Sequence, residues 1–573
     1  MSVLVLFAVS AALALPPGYV EDRECAACHE KIAHTYRDVG MSKSFYRPRR
    51  DDAIEDFAKL PFRHAKSGET MELRWRDGKL IFRRWTGDGD NLFEQPVDWI
   101  LGSGHHSRTY LYQTPNGELY ELPLAWYSQT REWAMAPGYD RPDHEGVLRR
   151  ARLECVFCHD AYPGLATNAR DGYWRNQGEP AALPEGIGCQ RCHGPGAEHV
   201  QRAMNEAGDV KSSIINPMRL ASARRNDVCY ECHMQPSVVV PGIRKFGRDI
   251  NSFRPGQPLS DYILHLDIDD RGMPRPQRFE INHHPYRLEQ SRCFRESGGK
   301  LSCLSCHDPH RKQTDAAHYR QVCMSCHAKA HRASEDCTSC HMPKRRTQDV
   351  VHVVMTDHRI GITPPGTDLL AMRDEREPVV DNIEVIDRDP DAELYRFVAA
   401  SRAGSLPAGR KLEDLQSSAI EPHLDLCAAL LRQHRYADLE TEAKAILARA
   451  PDHPLATEWL GLARADQGHR DEGIALLRKA AALDPSRVET QYNLGLHLQA
   501  NGQAEDAAAA FERAIAGRPN FVLALVHLGE VRNDEKPIRR ALAIDPRSKR
   551  AAEALKTVTA PAGHPSTPNE IPP

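Results

Sequence analysis

The chain has 573 residues with a formal net charge of −4, 41% hydrophobic and 27% charged. That balance gives no electrostatic case for binding nucleic acid or an anionic membrane, and the length allows about two to four domains. The 16 cysteines and 28 histidines carry most of the chemical information.

The first residues, Val3 to Leu15, form an apolar run ending in Ala12-Leu13-Ala14. This has the h-region and small-residue cleavage site of a secretory signal, residues 1–14, without the usual basic n-region. The run is short for a membrane span, and no other segment is apolar for long enough to be one. An uncleaved anchor is the other reading. Export predicts a periplasmic or extracellular protein.

Next comes Cys25-Ala-Ala-Cys28-His29, then a long interval before the next such motif at Cys155. Within it, residues of about 60–135 read as a β-rich insert. Met71–Trp75 and Lys79–Trp85 alternate around Asp77-Gly78, and Thr109–Thr114 and Leu119–Leu124 flank Asn116-Gly117, both hairpin signals. Trp75, Trp85, Trp99, Trp126 and Trp133 supply an aromatic core for the insert.

From Cys155 the spelling Cys-x-x-Cys-His recurs: Cys155/Cys158/His159, Cys189/Cys192/His193, Cys229/Cys232/His233, Cys303/Cys306/His307, Cys323/Cys326/His327 and Cys337/Cys340/His341. A paired Cys-x-x-Cys also suits zinc or redox thiols, but neither needs histidine next. Chance puts histidine at a given place about one time in twenty at this composition, yet it follows every Cys-x-x-Cys here. The pattern is the attachment signature of c-type haem: two thiols bond the macrocycle and the histidine becomes the proximal iron ligand. Seven covalent haem c groups are expected, which defines a heptahaem domain over 15–362.

A second axial ligand is required for a low-spin haem. A motif histidine faces one side of its own haem, so His310 and His331, a few residues beyond motif histidines, are expected to ligate neighbouring haems. His199, His352 and His358 follow as candidates, with one member each of His105-His106 and His283-His284. Each of these also has an ordinary reading as a surface or propionate-bonding histidine. His34 and His64 are unassigned. Of the two cysteines outside the motifs, Cys427 reads as a small packed residue and Cys293 as a packed thiol close to motif five.

Residues 363–410, with Pro364-Pro365-Gly366, read as a linker interrupted by a short helix over Ala392–Arg402. The period then changes. Leu426, Leu460, Leu494 and Leu528 stand 34 residues apart, as do Gly461, Gly495 and Gly529, and Pro451, Pro485 and Pro519. That is the tetratricopeptide pattern of paired antiparallel helices, placed at 411–557, with a shortened last repeat whose proline is Pro546. Histidines beyond residue 400 are expected to face solvent. Residues 558–573, rich in proline, read as a disordered tail. The fold class is mainly α: an irregular haem-packed domain with a small β-hairpin insert, followed by an α-solenoid.

The block Gly188-Cys189 to Cys192-His193-Gly194-Pro195-Gly196 to His199, and the block Ser302 to His310 ending Cys-His-Asp-Pro-His, resemble the cytochrome c554-type multihaem family, here fused to the repeats. Cys337 to Pro343 also resembles the last haem of multihaem nitrite reductases and hydroxylamine oxidoreductases. The resemblance covers 21–360 and implies an electron-transfer cytochrome. In that family the first motif is followed by an aromatic and, five residues on, a histidine. Here the aromatic is Tyr36 and the fifth residue is Met41, which makes Met41 a candidate distal ligand of the first haem, a packed Met41 being the alternative. The reductases' Cys-x-x-Cys-Lys is missing.

The leading reading is an electron-transfer relay in a periplasmic or cell-surface respiratory chain, working with redox partner proteins and docking a protein through the concave face of its repeats. The alternative is an oxidoreductase with one five-coordinate haem acting on a small nitrogen or sulfur compound. Its site is sought near the first haem, with His105, His106, Arg108 and Tyr110.

Overall fold

The computed structural model describes residues 15–161, 183–237, 240, 242–312, 315–327, 336–362, 368–403, 417 and 419–560. The expected signal segment, most of the expected tail and His331 lie outside these residues.

Two antiparallel sheets fill the interval after the first motif. One has the order β1-β6-β7-β8-β9, from β1 (Phe45–Tyr46), β6 (Trp99–Leu101), β7 (Ser107–Gln113), β8 (Leu119–Tyr127) and β9 (Glu132–Met135). The other runs β2-β3-β4-β5, from β2 (Phe62–Arg63), β3 (Glu69–Arg76), β4 (Lys79–Thr86) and β5 (Asp90–Pro96). The β3–β4 hairpin turns on Asp77 and Gly78 at φ 51° and 74°, left-handed values that a two-residue hairpin turn demands. Alternation explains the strands: Met71, Leu73, Phe82 and Tyr110 point inward and are buried, with Trp126 and Trp133 between the sheets. The insert therefore begins earlier than expected, at Phe45, whose ring stacks 4.6 Å from Trp99.

The motif-bearing region from Cys155 to His341 has short helices and few apolar contacts of its own. Its compact apolar cluster gathers Tyr230, Met234, Phe253, Leu259, Tyr262 and Ile263. The expected linker is corrected. Within it, Val380–Val385 pairs antiparallel with Leu266–Asp270, and helix Ala392–Arg402 buries Tyr395, Val398 and Ala399 against that ribbon. The pairing joins residues more than a hundred apart in sequence, so no local signal announces it.

Four helix pairs follow: Glu421–Arg432 with Tyr436–Arg449, Pro454–Asp466 with Arg470–Leu483, Val488–Ala500 with Ala504–Gly517, and Val522–Arg532 with Glu535–Ile544, closed by Lys549–Thr559. Gly495 stands where an added Cβ would lie 2.6 Å from the Phe511 ring, which is why the repeat keeps glycine there. Cys427 is fully buried. The histidines of this region do not all face solvent. His423 is buried beside Glu442 at 2.6 Å, and His453 is buried with its ring nitrogen accepting from Ala456 N–H.

The array is fastened to the rest near the starts of helices Glu421–Arg432, Val488–Ala500, Val522–Arg532 and Lys549–Thr559. Glu421 accepts from the Gly247 amide at 2.9 Å. Glu489 pairs with Arg150 at 3.1 Å, Arg518 pairs with Glu118 and Glu489, and Asn520 donates to the Tyr112 hydroxyl at 2.6 Å. Arg547 donates to the carbonyls of Pro142 and His144. Buried Arg84 donates to the carbonyls of Ala543 and Ile544 at 2.9 and 2.6 Å, satisfying the C-terminal end of helix Glu535–Ile544.

His144 lies at this joint, and burial pulls its pKa from 6.5 down to about 3. The unfolded chain then binds a proton that the folded chain excludes. The resulting stability is complete above about pH 6.5 and is lost as pH falls toward about 3, by up to about 1.4 kcal/mol per pH unit. Thermal unfolding between pH 6 and 4 should show a shallower pH slope in His144→Gln than in the unaltered protein. Equal slopes would assign the titration elsewhere.

Candidate haem-attachment sites

Each motif is a single helical turn. The histidine amide donates to the first cysteine carbonyl in His29→Cys25 at 3.0 Å, His193→Cys189 at 3.2 Å, His307→Cys303 at 3.0 Å, His327→Cys323 at 3.0 Å and His341→Cys337 at 3.1 Å. A turn of this kind puts residues i, i+3 and i+4 on one face, so both thiols and the imidazole address the same volume.

The turns abut. Cys25, Cys189 and the Asp22 carboxylate come within 4.8 Å of one another, joining motifs one and three. Cys158 meets Cys232, Cys229 meets Cys303, and Cys323 meets Cys337, joining motifs two and four, four and five, and six and seven. Cys293 faces Cys306, Cys323 and Cys326, between motifs five and six.

Three attachment thiols depart from the expected haem-packed interior. Cys28, Cys326 and Cys340 are exposed, whereas the other motif cysteines are partly covered. Cys340 accepts from the Ser339 hydroxyl at 3.8 Å, while Cys337 of the same turn faces Cys323. Helices Asp22–Cys28, Ala316–Met324 and Thr338–His341, which carry or lead into these motifs, bury no residue.

Four motif histidines have a second imidazole at one characteristic spacing. Ring centres are 6.3 Å apart for His29 and His199, 5.9 Å for His193 and His310, 6.1 Å for His233 and His284, and 6.1 Å for His307 and His358. Two imidazoles binding one metal from opposite sides need about 2 Å per bond plus about 1 Å from nitrogen to ring centre, or about 6 Å overall. Rings in direct contact, such as His284 and His358 at 4.6 Å, are too close to share a metal. Interplanar angles of 9°, 11°, 32° and 90° are all compatible, since each ring turns freely about the shared axis.

The other ring nitrogen is held as a ligand's should be. Nδ1 faces the carbonyl of Val210 in His199 at 3.0 Å, Ile215 in His193 at 2.8 Å, Thr356 in His358 at 3.1 Å and Gly361 in His341 at 3.2 Å. An Nδ1–H donated to a carbonyl fixes the tautomer and leaves the Nε2 lone pair for a metal. Burial lowers His159 and His358 to about 4 and His284 far below its ordinary value, so these rings are neutral. The thiols, turns and imidazole pairs thus fit a haem at motifs one, three, four and five.

Other candidates are placed elsewhere. Met41 does not stand opposite His29, a place taken by His199. Its carbonyl accepts from the Ser44 hydroxyl, which also reaches the His159 carbonyl of motif two, and from the Ile187 amide just ahead of motif three. His283 is a satisfied core residue: Nε2 faces the Pro236 carbonyl at 2.8 Å and Nδ1 accepts from the Glu280 amide at 3.2 Å. Its neighbour His284 carries the ring that faces His233. His352 packs against Tyr127 at 4.7 Å. His105 and His106 sit in the β6–β7 turn among Lys43, Lys312 and Lys344, and burial with these cations lowers both. Arg108 and Tyr110 both bond the buried Glu55 carboxylate, at 3.0 and 2.8 Å. His64, unassigned from sequence, lies between Ser67 and Asp140.

Sequence reasoning missed Arg191 and Glu231, which lie inside motifs three and four and are buried together at 3.4 Å. A charged residue between two attachment cysteines was the available signal.

No family model and no curated protein matches this chain. Among similar solved structures is a Thermobaculum terrenum O-GlcNAc transferase variant, 29% identical over 22% of this chain, with a TM-score of 0.21. The chain spans 26% of that transferase. YrrB, a TPR protein with an unusual peptide-binding site, is 18% identical over 29% of this chain and 84% of its own, TM-score 0.23. A thermophilic TPR protein of Thermus thermophilus is 17% identical over 29% of this chain and 94% of its own, TM-score 0.23. The paired helices, repeating at 34 residues, have the tetratricopeptide arrangement, in a chain that also holds several small sheets.

Proposed function

We propose that the protein is an exported heptahaem c-type cytochrome that relays electrons between redox partners. The observation that carries the reading is the set of four motif histidines, each with a second imidazole about 6 Å away. Haem bound at the motifs supplies a one-electron iron couple. The chain's part is to tether each macrocycle by two thiols and to present His29, His159, His193, His233, His307, His327 and His341 to the iron. His199, His310, His284 and His358 close the far sides at motifs one, three, four and five.

Cross-ligation fits a relay. His199 belongs to the segment after motif three yet faces motif one, and His310 follows motif five yet faces motif three. Neighbouring sites are therefore held together by the same short stretches of chain. The repeats keep their proposed role of docking a protein along their concave face. YrrB, by its description, has a peptide-binding site.

A second reading is favoured by motif two. His159 is enclosed, its Nδ1 has no hydrogen-bond partner, and among the described residues no second imidazole stands opposite it. A haem with an open side there suits an oxidoreductase for a small nitrogen or sulfur compound.

Mass spectrometry of the exported protein should show seven added haems, and zinc or cystine in their place would refute the proposal. EPR of the oxidised protein should contain low-spin ferric signals. A high-spin component that shifts with nitrite, hydroxylamine or sulfite would move the balance to the second reading. His284→Met should change the optical and EPR signature of one haem, whereas His283→Gln should leave all signatures in place. The opposite outcome would reverse the ligand assignment.

A further inference from the structure

The residues between the attachment cysteines of motifs two, three and four interlock. Arg191, from motif three, is buried with its guanidinium 4.4 Å above the ring of Phe157 from motif two. Its Nη2 donates to the Phe157 carbonyl at 3.0 Å, lies 3.4 Å from the carboxylate of Glu231 in motif four, and reaches the Cys232 sulfur at 3.6 Å. Nη1 lies 3.5 Å from the Asn251 side chain. A second guanidinium, Arg244, stacks 4.0 Å from the same Phe157 ring. Glu231 faces Arg191, Arg244 and Arg254, and Asp160 faces Arg191 as well.

One side chain therefore touches three attachment turns, including the sulfur through which a haem would be bonded at motif four. A planar fork that is always charged can hold several acceptors at fixed angles, which a lysine cannot. Hydrogen bonds to ligating sulfur and buried charge near a haem both shift its reduction potential. Resting on the haem reading above, we propose that Arg191 is a positioning residue that locks motifs two, three and four together, so that their three haems take their reduction potentials as a group. An ordinary buried ion pair would matter for folding but would not single out three haems.

The test is a spectroelectrochemical titration of Arg191→Met and Arg191→Lys, with haem content measured by mass spectrometry. Arg191→Met removes the cation and should shift the reduction equilibrium of three of the seven haems toward the oxidised form by about tenfold, about 59 mV for a one-electron couple. Arg191→Lys keeps the charge but not the fork, and should move the same three haems by less. Where Arg191→Met fails to load all seven haems, Arg191→Lys carries the test alone. Seven haems attached with one haem shifted, or none, would overturn the coupling. An unaltered protein without haem would instead defeat the function proposed above.

Discussion

The architecture depends on the contact between one helical turn and one imidazole brought from elsewhere in the chain. Cys-x-x-Cys-His gathers two thiols and a ring by purely local geometry, but the ring on the opposite side must come from another segment. His199 for motif one, His310 for motif three, His284 for motif four and His358 for motif five each cross such a gap. The region has little apolar core to hold these segments. A metal bound between two rings that stand about 6 Å apart would, under the proposal above, add cohesion to these segments.

Stability is concentrated at the two ends. The sheets and the last repeats share one apolar cluster that runs from Met71 and Trp126 to Leu525, Ile538 and Ala551. The polar contacts on the same joint are buried and multiply paired. Glu118 meets both Arg150 and Arg518, and Glu489 meets both arginines again, so two carboxylates and two guanidiniums neutralise one another. Such a set gives register more than net stability, because each charge has given up its hydration. At the other end Phe246 stacks on Tyr395 at 4.5 Å and joins the first repeats to the Leu266–Asp270 ribbon. The array is thus part of the same folded body as the motif region, and the Arg150–Glu489 pair lies just ahead of motif two.

Local features were readable from the residues alone. The hairpin at Asp77-Gly78, the period through Leu426, Leu460, Leu494 and Leu528, and the buried Cys427 follow from turn chemistry and repeat spacing. Long-range choices were not. His283 and His284 are identical as letters, and they separate because Pro236 and Glu280 occupy both nitrogens of one while the ring of the other lies 6.1 Å from that of His233. The spelling of motif seven is the same as that of motif three, yet Cys340 lies at the surface while Cys192 is covered, a difference set by what packs over each turn. Met41 drew attention by its offset from the first motif, but an offset says nothing of which segment folds over the iron. The pairing of Val380–Val385 with Leu266–Asp270 was hidden by acidic residues that read as linker. Those acids are partnered instead: Asp381 by Arg271 and Glu384 by Arg275.

Burial has opposite consequences on the two kinds of polar residue in the motif region. It suits the imidazoles, since a ring forced neutral keeps its lone pair for a metal. It is costly for arginine, whose charge persists, and each buried guanidinium must find acceptors. Arg278 meets this with Asp267 and the carbonyls of Ile268 and Pro236, and Arg287 with Asp357 at 2.7 Å. Pro236 is the point where the two demands meet. Its carbonyl accepts from Arg278 and faces His283 as well, which ties His283 into the arginine network and leaves its neighbour His284 to face His233.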